Sequence, residues 1–387
     1  MKELSGRTAG FTDSVIRRMT RISNRYGAIN LSQGFPDFEP PKEILKRLSE
    51  VSGEDFHQYS ITWGAQNFRE ALAAKQKRFM GIDIDPDKEI VVTCGSTEAM
   101  MAAMMTVADP GDKVIVFSPF YENYGADTIL SGAEPIYVPL TPPGFLFDEN
   151  ALEDAFRQGV KALILCNPSN PSGKVFTKDE LRTIADLSIK YDAYVITDEV
   201  YEHIVYAPHE HVYISTLPGM RERTICCSSL SKTYSITGWR LGYTIAPPEI
   251  TDRIKKVHDF LTVGAAAPLQ EAVVPGLKFG QDYYDGLTAT YTRKKDLFIK
   301  GLDDIGISHT DPQGAYYVML DISEYGYGSD LDFCTKLAEL VGVGAVPGSS
   351  FFREDVNHLI RLHFAKKDET LAAALDRLAD IKTKMKK

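Results

Sequence analysis

The chain has few cysteines, only two tryptophans and no long apolar run. Its five cysteines, Cys94, Cys166, Cys226, Cys227 and Cys334, form an odd set without zinc-type spacing. That excludes a zinc module and points to reduced core thiols in a cytoplasmic protein. No uninterrupted span of about 18 apolar residues occurs, so no transmembrane helix is expected. The opening MKELSGRTAGF has no apolar stretch of signal-peptide length, so none is expected. Positive charge is in deficit: 43 Lys and Arg stand against 53 Asp and Glu, a formal net charge of -10. Nucleic acid and membrane surfaces are therefore not expected as partners. Internal repeats and low-complexity linkers are also missing.

What is present suits a soluble globular protein. The 387 residues are 44% hydrophobic and 25% charged, enough for a sizeable core and more than one domain. After a turn-rich start, apolar strand-length runs alternate with helical patterns. Strands are predicted at 90–94, 114–117, 162–166, 194–197 and 224–227. Helices are predicted after Pro41, at 65–80 and 97–107, near Tyr121, and at 178–190 and 249–261. This alternation predicts an α/β fold whose mostly parallel central sheet is covered by helices on both faces. From about 290 a long charged helix and strands at 316–320 and 360–364 predict a smaller α+β domain. The expected division is 1–40 as an N-terminal arm and part of the small domain, 41–290 as the large domain, and 291–387 as the small domain.

Ligands of open α/β sheets sit outside the carboxyl ends of the strands, and polar residues collect there. Gly95-Ser96-Thr97 joins a strand to a helix and suits an anion; a plain N-cap would use the same residues. It is no Walker loop, since no GK[ST] follows. Asn167-Pro-Ser-Asn170-Pro-Ser-Gly173 makes a rigid loop that can hold the Asn170 amide still. Asp198 closes a buried strand and needs a cation, such as a protonated pyridine nitrogen, or a hydrogen-bond partner. The alternative is an N-cap role. Ser229-Leu-Ser-Lys232, then Gly238-Trp-Arg240-Leu-Gly242, offers an amine for an imine and a guanidinium for a phosphate. Arg361, inside an apolar strand-like segment, wants a carboxylate or phosphate; an internal salt bridge would also satisfy it. Together these describe one ligand with a phosphate, an aldehyde and a basic ring nitrogen.

The NPxNPxG, DEVY and SxSKxxxxxGxRxG motifs, in this order, resemble those of class I/II aminotransferases, pyridoxal-phosphate enzymes of fold type I. The opening LSQGFPDF is similar to the kynurenine, glutamine and methionine aminotransferase branch. The resemblance runs from LSQGFPDF to IRLHFA. It implies pyridoxal 5'-phosphate as cofactor, amino-acid and 2-oxo-acid substrates, and a homodimer with shared active sites. Lys232 would bond the cofactor aldehyde and then carry the proton to and from the substrate α-carbon. Asp198 would face the ring nitrogen. Asn170 and Tyr201 would meet the phenolic oxygen. Gly95, Ser96, Thr97, Ser229 and Arg240 would hold the phosphate, and Tyr121 would stack on the ring. Arg361, with Asn170 and Gly34, would bind the α-carboxylate. Tyr59 would reach the neighbouring subunit's phosphate.

Relatives acting on aspartate supply a cation for the distal carboxylate. One branch has lysine at the position of Thr97, and another has arginine in the region of Thr262–Pro268. This chain has no basic residue at either place. Neutral or aromatic donors are therefore expected. Phe11, Ile16, Phe35 and Tyr59 are candidates for the side-chain pocket or for the core of the N-terminal arm. A C–S β-lyase and an aspartate aminotransferase are the alternative enzymes on this fold.

Overall fold

The computed structural model describes residues 2–9, 11 and 13–386. Seven strands form a mixed sheet in the order Ile90–Thr93, Gly242–Ile245, Thr224–Ser229, Tyr194–Asp198, Val160–Cys166, Lys113–Ser118, Glu134–Pro139. All neighbours run parallel except the two pairs made by Gly242–Ile245.

The central strands read as unbroken apolar runs because both faces are covered. Successive side chains alternate between two cores. Ile115, Leu163 and Val195 pack with Leu152, Leu181 and Ile184 of the helices Glu149–Phe156 and Lys178–Lys190. Val114, Ile164 and Ile196 pack with Ala99, Ala103 and Ile254 of the helices Ser96–Val107 and Pro248–Thr262.

A second, antiparallel sheet orders Val346–Pro347, Leu359–His363 and Tyr317–Asp321. The helices Gln281–Ile305 and Asp368–Leu378 pack Phe298, Leu302, Leu371 and Leu378 onto its core. The N-terminal segment joins this layer. Met19 of the helix Val15–Arg25 enters the same core, and Ile29–Asn30 pairs in parallel with Val343–Gly344.

The expected fold class is the observed one. Among the elements not expected are the helices Val15–Arg25, Glu149–Phe156, Ala267–Leu277 and Asp330–Lys336, and the strands Glu134–Pro139 and Gly242–Ile245. The long helix expected from about 290 begins at Gln281.

Candidate active site

An anion cradle forms where three strands end. Ser229 pairs with Gly242, and Gly242 pairs with Thr93. A Cβ on Gly242 would lie 2.4 Å from the carbonyl carbon of Gly95, so only glycine lets the two backbones meet. Gly95, at φ +80°, caps the helix Ser96–Val107 with no side-chain hydrogen bond. The hydroxyls of Ser96 and Thr97 therefore do not serve as the cap, and the first-turn N–H groups keep their affinity for an anion. Arg240, itself at φ +54°, lays its guanidinium against Gly95, with Nη2 2.4 Å from where a Cβ would stand. Its Nη1 donates to the Thr237 carbonyl at 3.0 Å, and no acid pairs with it among the described residues.

Lys232 and Asp198 stand beside this cradle. Asp198 is buried at the end of its strand, so it does not cap a helix. The Tyr124 hydroxyl donates to its Oδ2 at 2.7 Å and the Val200 N–H to its Oδ1 at 3.3 Å. Burial pushes the Asp198 carboxyl up, against the pull of these two donors. A cation facing it would favour the charged form. The Lys232 Nζ donates to the Gly34 carbonyl at 3.2 Å and lies 5.9 Å from the Tyr201 ring and 5.8 Å from that of Tyr316. Burial, with Arg240 and Arg361 opposing the help of Asp198, pushes its amine down to about 8.

Arg361 is 1% exposed. Its Nη1 donates to Asn170 Oδ1 at 2.6 Å and its Nη2 to the Ser32 carbonyl at 2.7 Å. Its Nε has no acceptor, and among the described residues no carboxylate pairs with it. The Tyr317 and Phe351 rings flank the guanidinium at 4.3 and 4.7 Å. The internal salt bridge that would have satisfied Arg361 is not made. A buried guanidinium with a free donor is a seat for an external anion.

The family model for aminotransferase class I and II matches residues 26–378. The chain is a class I/II aminotransferase. It is 36% identical over 381 residues to a probable N-succinyldiaminopimelate aminotransferase of Mycobacterium tuberculosis, covering 95% of this chain and 96% of the relative. It is 36% identical over 369 residues to a methionine aminotransferase of Escherichia coli, with the same shares covered. A mouse kynurenine–oxoglutarate transaminase 3 is 34% identical over 399 residues, covering 95% of this chain and 88% of the relative. The solved structure of an Escherichia coli protein with a methionine aminotransferase function superposes with a TM-score of 0.94 at 34% identity, covering 98% of this chain and all of that one. A Thermus thermophilus aspartate aminotransferase variant superposes at 0.91 and 29% identity, covering 98% of this chain and 100% of that one.

The cofactor of this aminotransferase is pyridoxal phosphate, and the residues fit it. The glycine-lined cradle with Arg240 suits a phosphate, the buried Asp198 suits a ring nitrogen, and Lys232 suits an aldehyde. Two further groupings sit around them. The Tyr201 hydroxyl shares a hydrogen bond with Tyr317 at 2.8 Å, and Tyr316 donates to the Gly34 carbonyl at 2.9 Å. A Cβ on Gly34 would lie 2.2 Å from the Tyr317 hydroxyl, so the approach of that tyrosine needs glycine. Tyr121 sets its ring edge against Tyr124 at 5.9 Å.

Sequence reasoning missed Tyr124, Tyr316 and Tyr317 as site residues. Only Tyr124, three positions after Tyr121, carried a local hint. Ile16 is buried in the core with Phe117 and Phe351, whereas Phe11, Phe35 and Tyr59 are exposed. Tyr59 is 86% exposed. Its loop is latched from below. The Thr62 carbonyl meets His258 Nε2 at 2.9 Å, and His258 Nδ1 meets Glu98 Oε1 at 2.6 Å. Glu98 belongs to the helix that Gly95 caps.

Proposed function

We propose that this aminotransferase moves the amino group of a neutral or aromatic amino acid to a 2-oxo acid by a ping-pong mechanism through Lys232. The observation that carries the substrate class is Arg361, a buried guanidinium with a free Nε and no acid of its own. It can take a carboxylate bidentately, the group that donor and acceptor share. Asn170 and the Gly34 backbone complete that seat. When bound, pyridoxal phosphate supplies an aldehyde and an electron-accepting ring.

The chain's own groups do the rest in this reading. Gly95, Ser96, Thr97, Ser229 and Arg240 hold the phosphate, and Tyr121 lies on the ring. Asp198 holds a proton on the ring nitrogen, with Tyr124 keeping the carboxylate oriented. Tyr201 and Asn170 hydrogen-bond the phenolic oxygen. The lowered basicity of the Lys232 amine suits a group that must be neutral to attack an aldehyde and then take the substrate α-proton. Fixing the carboxylate at one end and the phosphate at the other leaves the α-hydrogen presented to that amine.

Relatives named for methionine, kynurenine and N-succinyldiaminopimelate fit a pocket that lacks a cation at Thr97 and across Thr262–Pro268. A steady-state panel of donors with 2-oxoglutarate tests the assignment. Methionine, phenylalanine, glutamine or kynurenine should exceed aspartate in kcat/KM. Aspartate leading by a large factor overturns it, and pyruvate release from cystathionine without a 2-oxo acid would replace it with β-lyase chemistry.

The same reading includes a homodimer. Tyr59, Ile61, Phe260, Leu261 and Val263 are all exposed. The contact between the Thr62 carbonyl and His258, on the helix Pro248–Thr262, sets the Tyr59 loop beside the end of that helix. Such an apolar patch beside the site suits a second copy that receives Tyr59.

A further inference from the structure

Behind the candidate site lies a buried polar knot that the proposed chemistry does not use. Its centre is Glu202, one residue after Tyr201 and buried. Four groups donate to its carboxylate: Lys75 Nζ at 3.0 Å, Gln76 Nε2 at 3.1 Å, the Tyr213 hydroxyl at 2.5 Å and the Tyr243 hydroxyl at 3.1 Å. His203 Nε2 lies 3.4 Å away. Burial pushes the His203 imidazole down to about 4, so it adds no charge at neutral pH. Burial alone would raise the Glu202 carboxyl, but Lys75 and the surrounding donors hold it well below its ordinary value. The knot is thus one cation and one anion, satisfied by neutral donors.

The donors come from three separate segments. Lys75 and Gln76 lie on the helix Gln66–Met80, Tyr213 precedes the short turn Ile214–Thr216, and Tyr243 lies on the strand Gly242–Ile245. Tyr243 follows Gly242, the residue whose backbone closes the phosphate cradle. On the other side, the Glu202 N–H donates to the Glu199 carbonyl at 3.0 Å, closing the turn that directly follows Asp198. One carboxylate therefore ties the turn carrying Asp198 and Tyr201 to the strand that builds the cradle. A buried ion pair is a poor source of net stability, because desolvation offsets most of its attraction. Two apolar side chains would fill the same space at less cost, whereas the pair fixes one register.

We propose that Glu202 is a positioning residue: through Lys75, Gln76, Tyr213 and Tyr243 it sets the distance and angle between the Asp198–Tyr201 turn and the phosphate cradle. This rests on the assignment of Asp198 and Tyr201 to the cofactor ring. That assignment is checked first, by a shift of the holoenzyme's visible absorption band in Asp198→Asn and in Tyr201→Phe.

The test compares Glu202→Gln, Glu202→Asp and the double variant Lys75→Met/Glu202→Gln as holoenzymes. Displacements near 1 Å at a reacting centre cost about 10- to 100-fold, and kcat per bound cofactor should fall by that order in Glu202→Gln. The donor KM should stay within about threefold, since Arg361 is untouched. The pH midpoint of the cofactor's visible band should move by about half a unit or more, because the donors around the ring are displaced. Glu202→Asp should recover part of both. The double variant, with no lone buried charge, should recover the Tm lost in Glu202→Gln yet keep the shifted midpoint and low kcat. A wild-type kcat per bound cofactor and a wild-type midpoint in the double variant would overturn the proposal and leave the knot a purely structural device. The double variant also decides the matter if Glu202→Gln does not fold.

Discussion

Lys232 sits among two guanidiniums, one carboxylate and two tyrosine rings, and its amine is pushed down to about 8. Below that pH the folded chain holds it protonated in a site that disfavours the charge. Above it the amine is free to attack. The rate at which apo-protein captures pyridoxal phosphate into a borohydride-fixed linkage should therefore rise about tenfold per pH unit up to near 8, then level off. A rate still climbing toward pH 10 would place the amine in an ordinary solvated setting. The sign for stability is the same. Between about 8 and the ordinary lysine range the unfolded chain binds the extra proton, so this group's contribution rises with pH there. At this scale much of the site was legible. Lys232, Asp198, Asn170, Arg240 and Arg361 each lie in a short motif whose chemistry is local. The tyrosines were not. Tyr316 and Tyr317 reach Gly34 across more than 280 positions, and no spacing rule carries that distance.

The strand Gly242–Ile245 holds the cradle together although it is only four residues long. Its first residue meets the Gly95 backbone so closely that a methyl group would push on main chain, which cannot swing aside as a flexible side chain would. Gly242→Ala should cost about 1–3 kcal/mol of stability through overpacking and should also weaken retention of pyridoxal phosphate. Gly238→Ala, where a Cβ meets nothing within 4 Å, should do neither. Thermal melts of the apo forms and cofactor content after dialysis read the two effects separately. The elements that sequence patterning overlooked have physical reasons. GYTI is too short and starts on glycine. EPIYVP carries two prolines, which only an edge strand tolerates, and Glu134–Pro139 is the edge of the sheet. In Val15–Arg25 the arginines crowd out all but a narrow buried stripe of Ile16, Met19 and Ser23. The long apolar strands and the amphipathic helices were plain because each buries a wide face.

For the whole molecule, the decisive surface is the one around Tyr59 and Phe260, which is 91% exposed. If the proposed dimer forms through this surface, Phe260→Glu should lower the sedimentation coefficient toward that of a single chain and reduce cofactor affinity at the same protein concentration, because each site would then lose the tyrosine offered by the second copy. An unchanged sedimentation profile would move the interface elsewhere. Mixing Tyr59→Phe and Lys232→Ala chains should regain one working site per pair. The latch from Thr62 through His258 to Glu98 has a consequence for such a pair. The helix Ser96–Val107, whose start faces the glycine cradle, also braces the loop that carries Tyr59. In the proposed pair, a change at the start of that helix would therefore be felt at the tyrosine offered to the other copy through three groups in contact.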